Sequence, residues 1–191
     1  LYTLLLGLRG TKNDIPLLKK QIEITDFPPH RVSILYASYV MLSGPDGLKF
    51  LEEKLNAESG GTHEILSISF LSAVSFLRRN CSDRIPETRI NQTVRILLDR
   101  PNVADLAIGH LTRAKDWGIQ ERLAKMFPEA NILTQRAIIR YMLACAKDAP
   151  KKPDDKLPKH ALEARKHLET FRKIDPKRVE EVERLLSLLR Q

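Results

Sequence analysis

Residues 10–22 read GTKNDIPLLKKQI, and residues 47–55 read GLKFLEEKL. A shift of 33 positions superimposes their apolar residues, Ile15, Leu17, Leu18 and Ile22 on Leu48, Phe50, Leu51 and Leu55. The charged positions around them mostly differ. This pattern is typical of helix pairs that stack on one another, because the buried positions of such a stack must recur whereas the solvent-facing ones need not.

The same apolar pattern continues along the chain as pairs of residues at positions i and i+4. Such residues lie one above the other on a single face of a helix. The four pairs are Leu18 and Ile22, Leu51 and Leu55, Val94 and Leu98, and Leu123 and Phe127. Successive pairs are separated by 33, 43 and 29 residues, and an additional loop, CSDRIPET at 81–88, explains the longest interval.

Three longer segments, 31–43, 64–79 and 132–147, are apolar on almost every face. A helix with this pattern is one that neighbours bury on several sides. The stretch SISF inside 64–79 would suit a strand, but the length of the whole segment favours a helix. Clusters of Pro, Gly, Asn and Asp separate the helices, at 25–30, 56–62, 99–102 and 128–131. Asn102 and Asn131 are predicted N-caps.

Because of these pairs, the chain resembles the HEAT-repeat (armadillo-like) family of α-solenoids. The resemblance also includes Ala37, Ala107 and Ala137 in the first helices and Asp14 or Gly47 before the second. It implies an all-α fold in which stacked antiparallel helix pairs form a short right-handed α-solenoid. Armadillo-like or irregular helical hairpins remain alternatives.

The predicted organisation has three parts. Residues 1–148 form about four and a half HEAT-like units, the first of them incomplete. Residues 149–158, APKKPDDKLP, are a Pro/Lys/Asp-rich linker. Residues 159–191 form a C-terminal helical hairpin with apolar stripes on both helices, and Asp175 with Pro176 begins the second. The hairpin is expected to cap the solenoid; a detached module that binds a partner helix is the alternative. The stripes are Leu162, Leu168, Phe171 and Ile174, then Val179, Val182, Leu185, Leu186 and Leu189.

The composition bounds the environment and the partners. Hydrophobic residues make up 42% of the 191 residues and charged residues 29%, with a net charge of +8 and a pI near 9.6. That charge suits nucleic acid, an anionic membrane or an acidic protein. The two cysteines, Cys81 and Cys145, have no metal-binding spacing and favour a reducing compartment such as the cytoplasm. The apolar start LYTLLLGLRG is too short for a membrane span and reads as half of a repeat, so we expect a fragment of a longer chain.

No sequence motif for catalysis, phosphate binding or zinc binding is found, and no cofactor or metal is expected. His160 and His167 are seven residues apart and could share a helix face, but one such pair without carboxylate support is more typical of solvated surface than of a metal site. Trp117, the only tryptophan, is predicted to pack within its own helix pair beside Ile119. Some HEAT-like DNA glycosylases carry tryptophans and an aspartate on the concave face, but one Trp beside Asp116 does not support that activity.

The basic residues point to a candidate surface. In the HEAT family the second helices line the concave face, and by that resemblance Arg89, Arg95, Arg122 and Lys125 are predicted to lie along a groove. Arginine binds carboxylate and phosphate oxygens two at a time, so such a groove suits an anionic partner. An ordinary solvated surface is the competing interpretation.

Three functions remain. The first is a non-enzymatic scaffold that binds a protein partner or another domain of the same chain. The second is a nucleic-acid binder that contacts phosphates through the basic concave face. The third is an accessory domain of an enzyme whose catalytic part lies upstream.

Overall fold

A computed structural model describes residues 2–24, 28–57, 61–148 and 156–188, and in this part of the chain there are eleven α-helices and no strand. The all-α class is therefore confirmed, and SISF lies inside a helix. The chain divides into two compact units, Leu1–Leu97 and Leu98–Gln191. The predicted linker lies largely outside the described residues, and the three-part division stays a prediction.

The described residues of the first unit form six helices, and the central one is surrounded by its neighbours. Helices α1, α2, α4 and α5 all contact α3, while α6 packs on α4 and α5. The near-continuous apolar composition of 31–43 therefore reflects contact with several helices at once. The bounds are α1 Tyr2–Arg9, α2 Ile15–Glu23, α3 Pro29–Ser43, α4 Pro45–Ala57, α5 Gly61–Asn80 and α6 Glu87–Ile96.

In the second unit, five helices in the described part of the chain have the same arrangement around a central helix. Its centre is α9, which α7, α8, α10 and α11 contact. Phe127, in the 3-10 turn after α8, stacks on Phe171 of α10 with ring centroids 4.0 Å apart. The bounds are α7 Ala104–Arg113, α8 Gln120–Met126, α9 Ile132–Ala146, α10 Lys159–Ile174 and α11 Pro176–Leu188.

All four predicted i, i+4 pairs are buried. None of the eight side chains is more than 4% exposed. Ala37, Ala107 and Ala137 of the first helices are buried as well. Burial of these recurring positions agrees with the reason given above for their recurrence, since they supply the apolar contacts between helices.

Two of the three predicted helix starts are confirmed, and one is wrong. The side chain of Asn131 accepts a hydrogen bond of 2.9 Å from the backbone N–H of Thr134, and Asp175 caps α11 through the backbone N–H of Arg178. Asn102, in contrast, belongs to a turn, and α7 begins only at Ala104. The backbone N–H groups of Val103 and Ala104 both donate to the backbone carbonyl oxygen of Arg100. The turn therefore forms its own hydrogen bonds before the helix begins.

The apolar stripes of the C-terminal hairpin are only partly buried. Leu168, Phe171, Val179 and Val182 are buried as predicted. The prediction was wrong for three other residues, which are about half exposed: Leu162, Ile174 and Leu185. The small residues Ala161 and Ala164 occupy the buried face of α10 instead, because α10 approaches α9 closely. Leu189 lies outside the described residues.

Candidate functional site

Arg89, the first of the predicted groove residues, is bound to a carboxylate of its own unit. From α6 it forms a two-point ion pair with Glu52 of α4, with Nη1 2.5 Å from Oε1 and Nη2 3.0 Å from Oε2. Thr93 completes the cluster, since its hydroxyl accepts from Arg89 Nη1 at 2.9 Å and donates to Glu52 Oε1 at 2.6 Å. The guanidinium thus joins two helices.

The electrostatics of Glu52 agree with this geometry. Burial alone would raise the pKa of its carboxyl, but the hydrogen bonds from Arg89 and Thr93 outweigh that effect and lower the pKa below its ordinary value. The carboxylate is therefore ionised at neutral pH and neutralises Arg89. A phosphate group would have to compete with this carboxylate for the same donors.

The other three predicted groove residues lie in different settings. Arg95 is half-buried on α6. On α8, Arg122 donates from Nη2 to Asp99 Oδ1 at 2.6 Å, while Lys125 is exposed and lies 3.8 Å from Glu121. Two of the four cations therefore lie in each unit, and a groove that all four share stays a prediction.

A polar cluster in the second unit surrounds Asp148, which sequence reasoning did not single out. Lys115 donates to its Oδ1 at 2.8 Å, and Trp117 donates from Nε1 to its Oδ2 at 3.0 Å. His160 of α10 approaches the same Oδ2, with its Nε2 at 3.0 Å. The hydrogen bond from Lys115 is the largest cause of a lowered pKa of Asp148, and those from Trp117 and His160 act in the same direction against partial burial.

The position of Trp117 corrects the prediction that it packs within its own helix pair. Its ring meets Tyr141 of α9 edge-on, with centroids 5.2 Å apart, and lies roughly parallel to the ring of His160, 6.2 Å away. The indole N–H needs an acceptor when it is half-buried, and Asp148 supplies one at the end of α9. Asp148 and Trp117 are separated by 31 residues, so no local pattern in the sequence indicated the contact.

The histidine prediction is also corrected. His160 faces Asp148, and His167 has its Nε2 3.9 Å from Glu121 Oε2, so both have carboxylates nearby. Within the described residues, no group of three or more His, Cys, Asp or Glu side chains is placed to hold a metal ion. These histidines therefore connect α10 to the rest of the second unit.

Lys115 has the only left-handed backbone conformation among the described non-glycine residues, with φ of 52°. It follows the end of α7, where the backbone N–H of Asp116 donates to the carbonyl oxygen of Leu111 and that of Lys115 donates to the carbonyl oxygen of Thr112. This pattern is the Schellman motif, whose left-handed position usually holds glycine. Lysine has a higher conformational energy than glycine at this position, and its ammonium group binds the carboxylate of Asp148.

The thiol near this cluster is not an activated nucleophile. Cys145 is fully buried, and burial, followed by the charges of Asp148 and Glu163, raises its pKa to about 12. Burial likewise raises the pKa of Cys81. Both thiols are therefore protonated at neutral pH, whereas nucleophilic cysteines react as thiolates.

Each unit also has an open cleft. The one in the first unit, called here the N-terminal cleft, has a volume of about 400 Å³. It lies between α1, α2 and α3, and its lining includes Tyr2, Leu6, Leu17, Arg31 and Ile34. The cleft in the second unit has a volume of about 430 Å³, and its lining combines apolar residues such as Leu98 and Met126 with the acidic residues Asp99 and Glu129.

Comparison with known proteins adds no relative to this description. No family model matches the chain, and neither a curated protein nor a solved structure matches it. None of the helices in the described ranges combines the length and apolarity that crossing a membrane requires.

Proposed function

We propose that this protein is a non-enzymatic, HEAT-like helical-repeat module that binds protein partners. In this proposal its helix pairs form a short right-handed α-solenoid, with α10 and α11 as the cap. Support comes from the order of contacts, since α1, α3 and α5 pack successively in the first unit and α7 packs on α9 in the second. Burial of the recurring i, i+4 pairs supports the same repeat register.

The observation that carries the binding function is the apolar surface around the N-terminal cleft. Leu17 is 51% exposed and lines it, and Tyr2 of α1 is exposed at its edge. Exposed apolar side chains that gather around an open cleft, rather than lying singly, are characteristic of protein interaction sites. Arg31 adds a cation to the lining, which suits a partner with an acidic residue beside its apolar ones.

The absence of an enzymatic role is part of the same proposal. The groups around Asp148 satisfy one another, and the nearby Cys145 thiol is protonated at neutral pH. Nucleic-acid binding through the basic face is the competing proposal. The ion pairs of Arg89 with Glu52 and of Arg122 with Asp99 weigh against it, because part of the predicted cationic surface is already neutralised.

Binding of fluorescent single- and double-stranded oligonucleotides across a salt series separates the two proposals. We expect dissociation constants weaker than about 100 μM at physiological salt. Tighter binding that falls steeply with salt, and that charge reversal of Arg95 and Arg122 abolishes, would establish the nucleic-acid function instead.

Protein binding is tested with Leu17→Glu. The immobilised chain captures partners from extract, the captured protein is purified, and its affinity for the wild-type chain and the variant is measured. The control is Leu162→Glu, which makes the same change at a similarly exposed leucine outside either cleft. We expect at least about a tenfold loss for Leu17→Glu and none for the control. Equal affinity of both variants would refute the cleft as the binding surface.

A further inference from the structure

Helix α1 has an exposed apolar face. Tyr2, Leu5 and Leu8 follow one another at three-residue intervals, which places them along one side of the helix. Tyr2 is 84% exposed, Leu5 46% and Leu8 49%. The apolar face extends the surface of the N-terminal cleft, because Tyr2 belongs to both.

The 33-residue repeat allows the exposure of these residues to be compared with that of the corresponding residues elsewhere in the same unit. It places Tyr2, Leu5 and Leu8 of α1 on Leu35, Ser38 and Met41 of α3. Those three residues are at most 6% exposed, and α1 is one of the helices that pack on α3.

The contact between α1 and α3 is close at its centre. Gly7 lies against Ser38, so that a Cβ atom added to Gly7 would be 2.7 Å from Ser38 Cα. Any residue larger than glycine would therefore clash with α3 at this point. Close packing of α1 on α3 therefore depends on a small residue in the covering helix.

The second helices of the two pairs, α2 and α4, also differ in the exposure of corresponding positions. Phe50 of α4 is covered by Tyr39, with ring centroids 5.2 Å apart, and by Lys19 of α2, whose Nζ lies 4.7 Å from the ring centroid. The 33-residue shift places Leu17 of α2 on Phe50. Leu17, however, is about half exposed. Both helices of the first pair thus expose positions that are buried on α3 and half-buried on α4 of the second pair.

We propose that α1 and α2 bind a helical hairpin of a partner protein, which packs on them as they pack on α3 and α4. This proposal rests on the protein-binding function above and names the partner's chemistry. The first helix of the partner's hairpin carries an apolar face with glycine or alanine opposite Leu5, in the way that Gly7 lies opposite Ser38. Its second helix places a long side chain over Leu17. The choice of a hairpin follows from continuity with the contact that α1 and α3 already make.

A tandem variant of residues 1–191 tests whether the surface accepts such a hairpin. A second copy of residues 1–33 is added before Leu1, so that Leu1 follows Ser33 in the place of Ile34 and the 33-residue register is kept. We expect the backbone amides of residues 2–9 in the original copy to exchange with deuterium at least about tenfold more slowly than in the wild-type chain. A higher melting temperature should accompany this protection.

Two controls make the result specific. Gly7→Leu in the added copy introduces a side chain where the covering helix has no room, and it leaves the receiving surface intact. Leu5→Glu in the original copy changes the receiving surface instead. Each should abolish the protection. Unchanged exchange in the tandem variant, or protection that survives both substitutions, would overturn the proposal.

The remaining outcomes separate this proposal from the one on which it rests. A solution mass twice 21.8 kDa that Leu5→Glu restores to the monomer value would assign the face to a second copy of the chain and overturn the hairpin partner. Binding of anionic phosphatidylserine vesicles, lost in the same variant, would also overturn it. If Leu17→Glu weakens partner binding but the tandem hairpin gives no protection, the protein-binding function stands and the hairpin geometry fails.

Discussion

Removal of Glu52 is expected to destabilise the first unit, because its carboxylate holds α6 on α4. Two hydrogen bonds from Arg89 and one from Thr93 end on this group. Hydrogen bonds to charged groups stabilise proteins by about 1.5–3 kcal/mol each when buried, and exposed ion pairs by at most about 1 kcal/mol. Glu52 and Arg89 have side chains 19% and 25% exposed, so we expect Glu52→Ala to cost about 2–4 kcal/mol.

A double-mutant cycle isolates the interaction from the loss of the side chains themselves. Glu52→Ala, Arg89→Ala and the double variant are unfolded in urea at pH 7 and followed by circular dichroism. We expect a coupling free energy of about 1–3 kcal/mol. Glu53→Gln is the control, since Glu53 is an exposed neighbour on the same helix. Single-variant costs below about 0.5 kcal/mol, with no coupling, would refute a structural role for the pair.

The pH dependence has a defined sign. The pKa of Glu52 is lowered in the folded protein, so its contribution is complete above the ordinary glutamate pKa of about 4.3 and is lost as the pH falls through the lowered value. The stability difference between the wild-type chain and Glu52→Gln should therefore be constant near neutrality and shrink below about pH 4. A difference that grew on acidification would contradict the assignment.

Two further perturbations test the core and the turn after α7. Leu51→Ala should cost about 2–5 kcal/mol in urea unfolding because Leu51 is fully buried, whereas Leu17→Ala should cost less than about 1 kcal/mol; equal costs would refute the repeat register. Lys115→Gly should change the free energy of unfolding by less than about 1 kcal/mol, because relief of the left-handed conformation offsets the loss of an exposed ion pair with Asp148. A larger destabilisation would mean that the ion pair dominates, and the control Lys147→Gly separates the turn from a general effect of glycine.

Local sequence patterns predicted the helices well and the polar contacts poorly. Asn131 and Asp175 were recognisable as caps because a cap and its N–H donor lie three residues apart. Glu52 and Arg89, in contrast, are separated by 37 residues. Which polar side chains meet across two helices depends on the rotation and offset of those helices, and a pattern within either helix does not contain that information.

The apolar period of the sequence was enough to predict that the described residues are helical and that the recurring i, i+4 pairs are buried, since helices with matching stripes must cover one another to exclude water. Only the tertiary structure decided how the polar groups are used. It placed Arg89 on Glu52, gathered Lys115, Trp117 and His160 around Asp148, and left the outer face of α1 exposed. The physical reason is that apolar burial is non-directional and tolerates many partners, whereas a hydrogen bond requires two particular atoms within about 3 Å of each other.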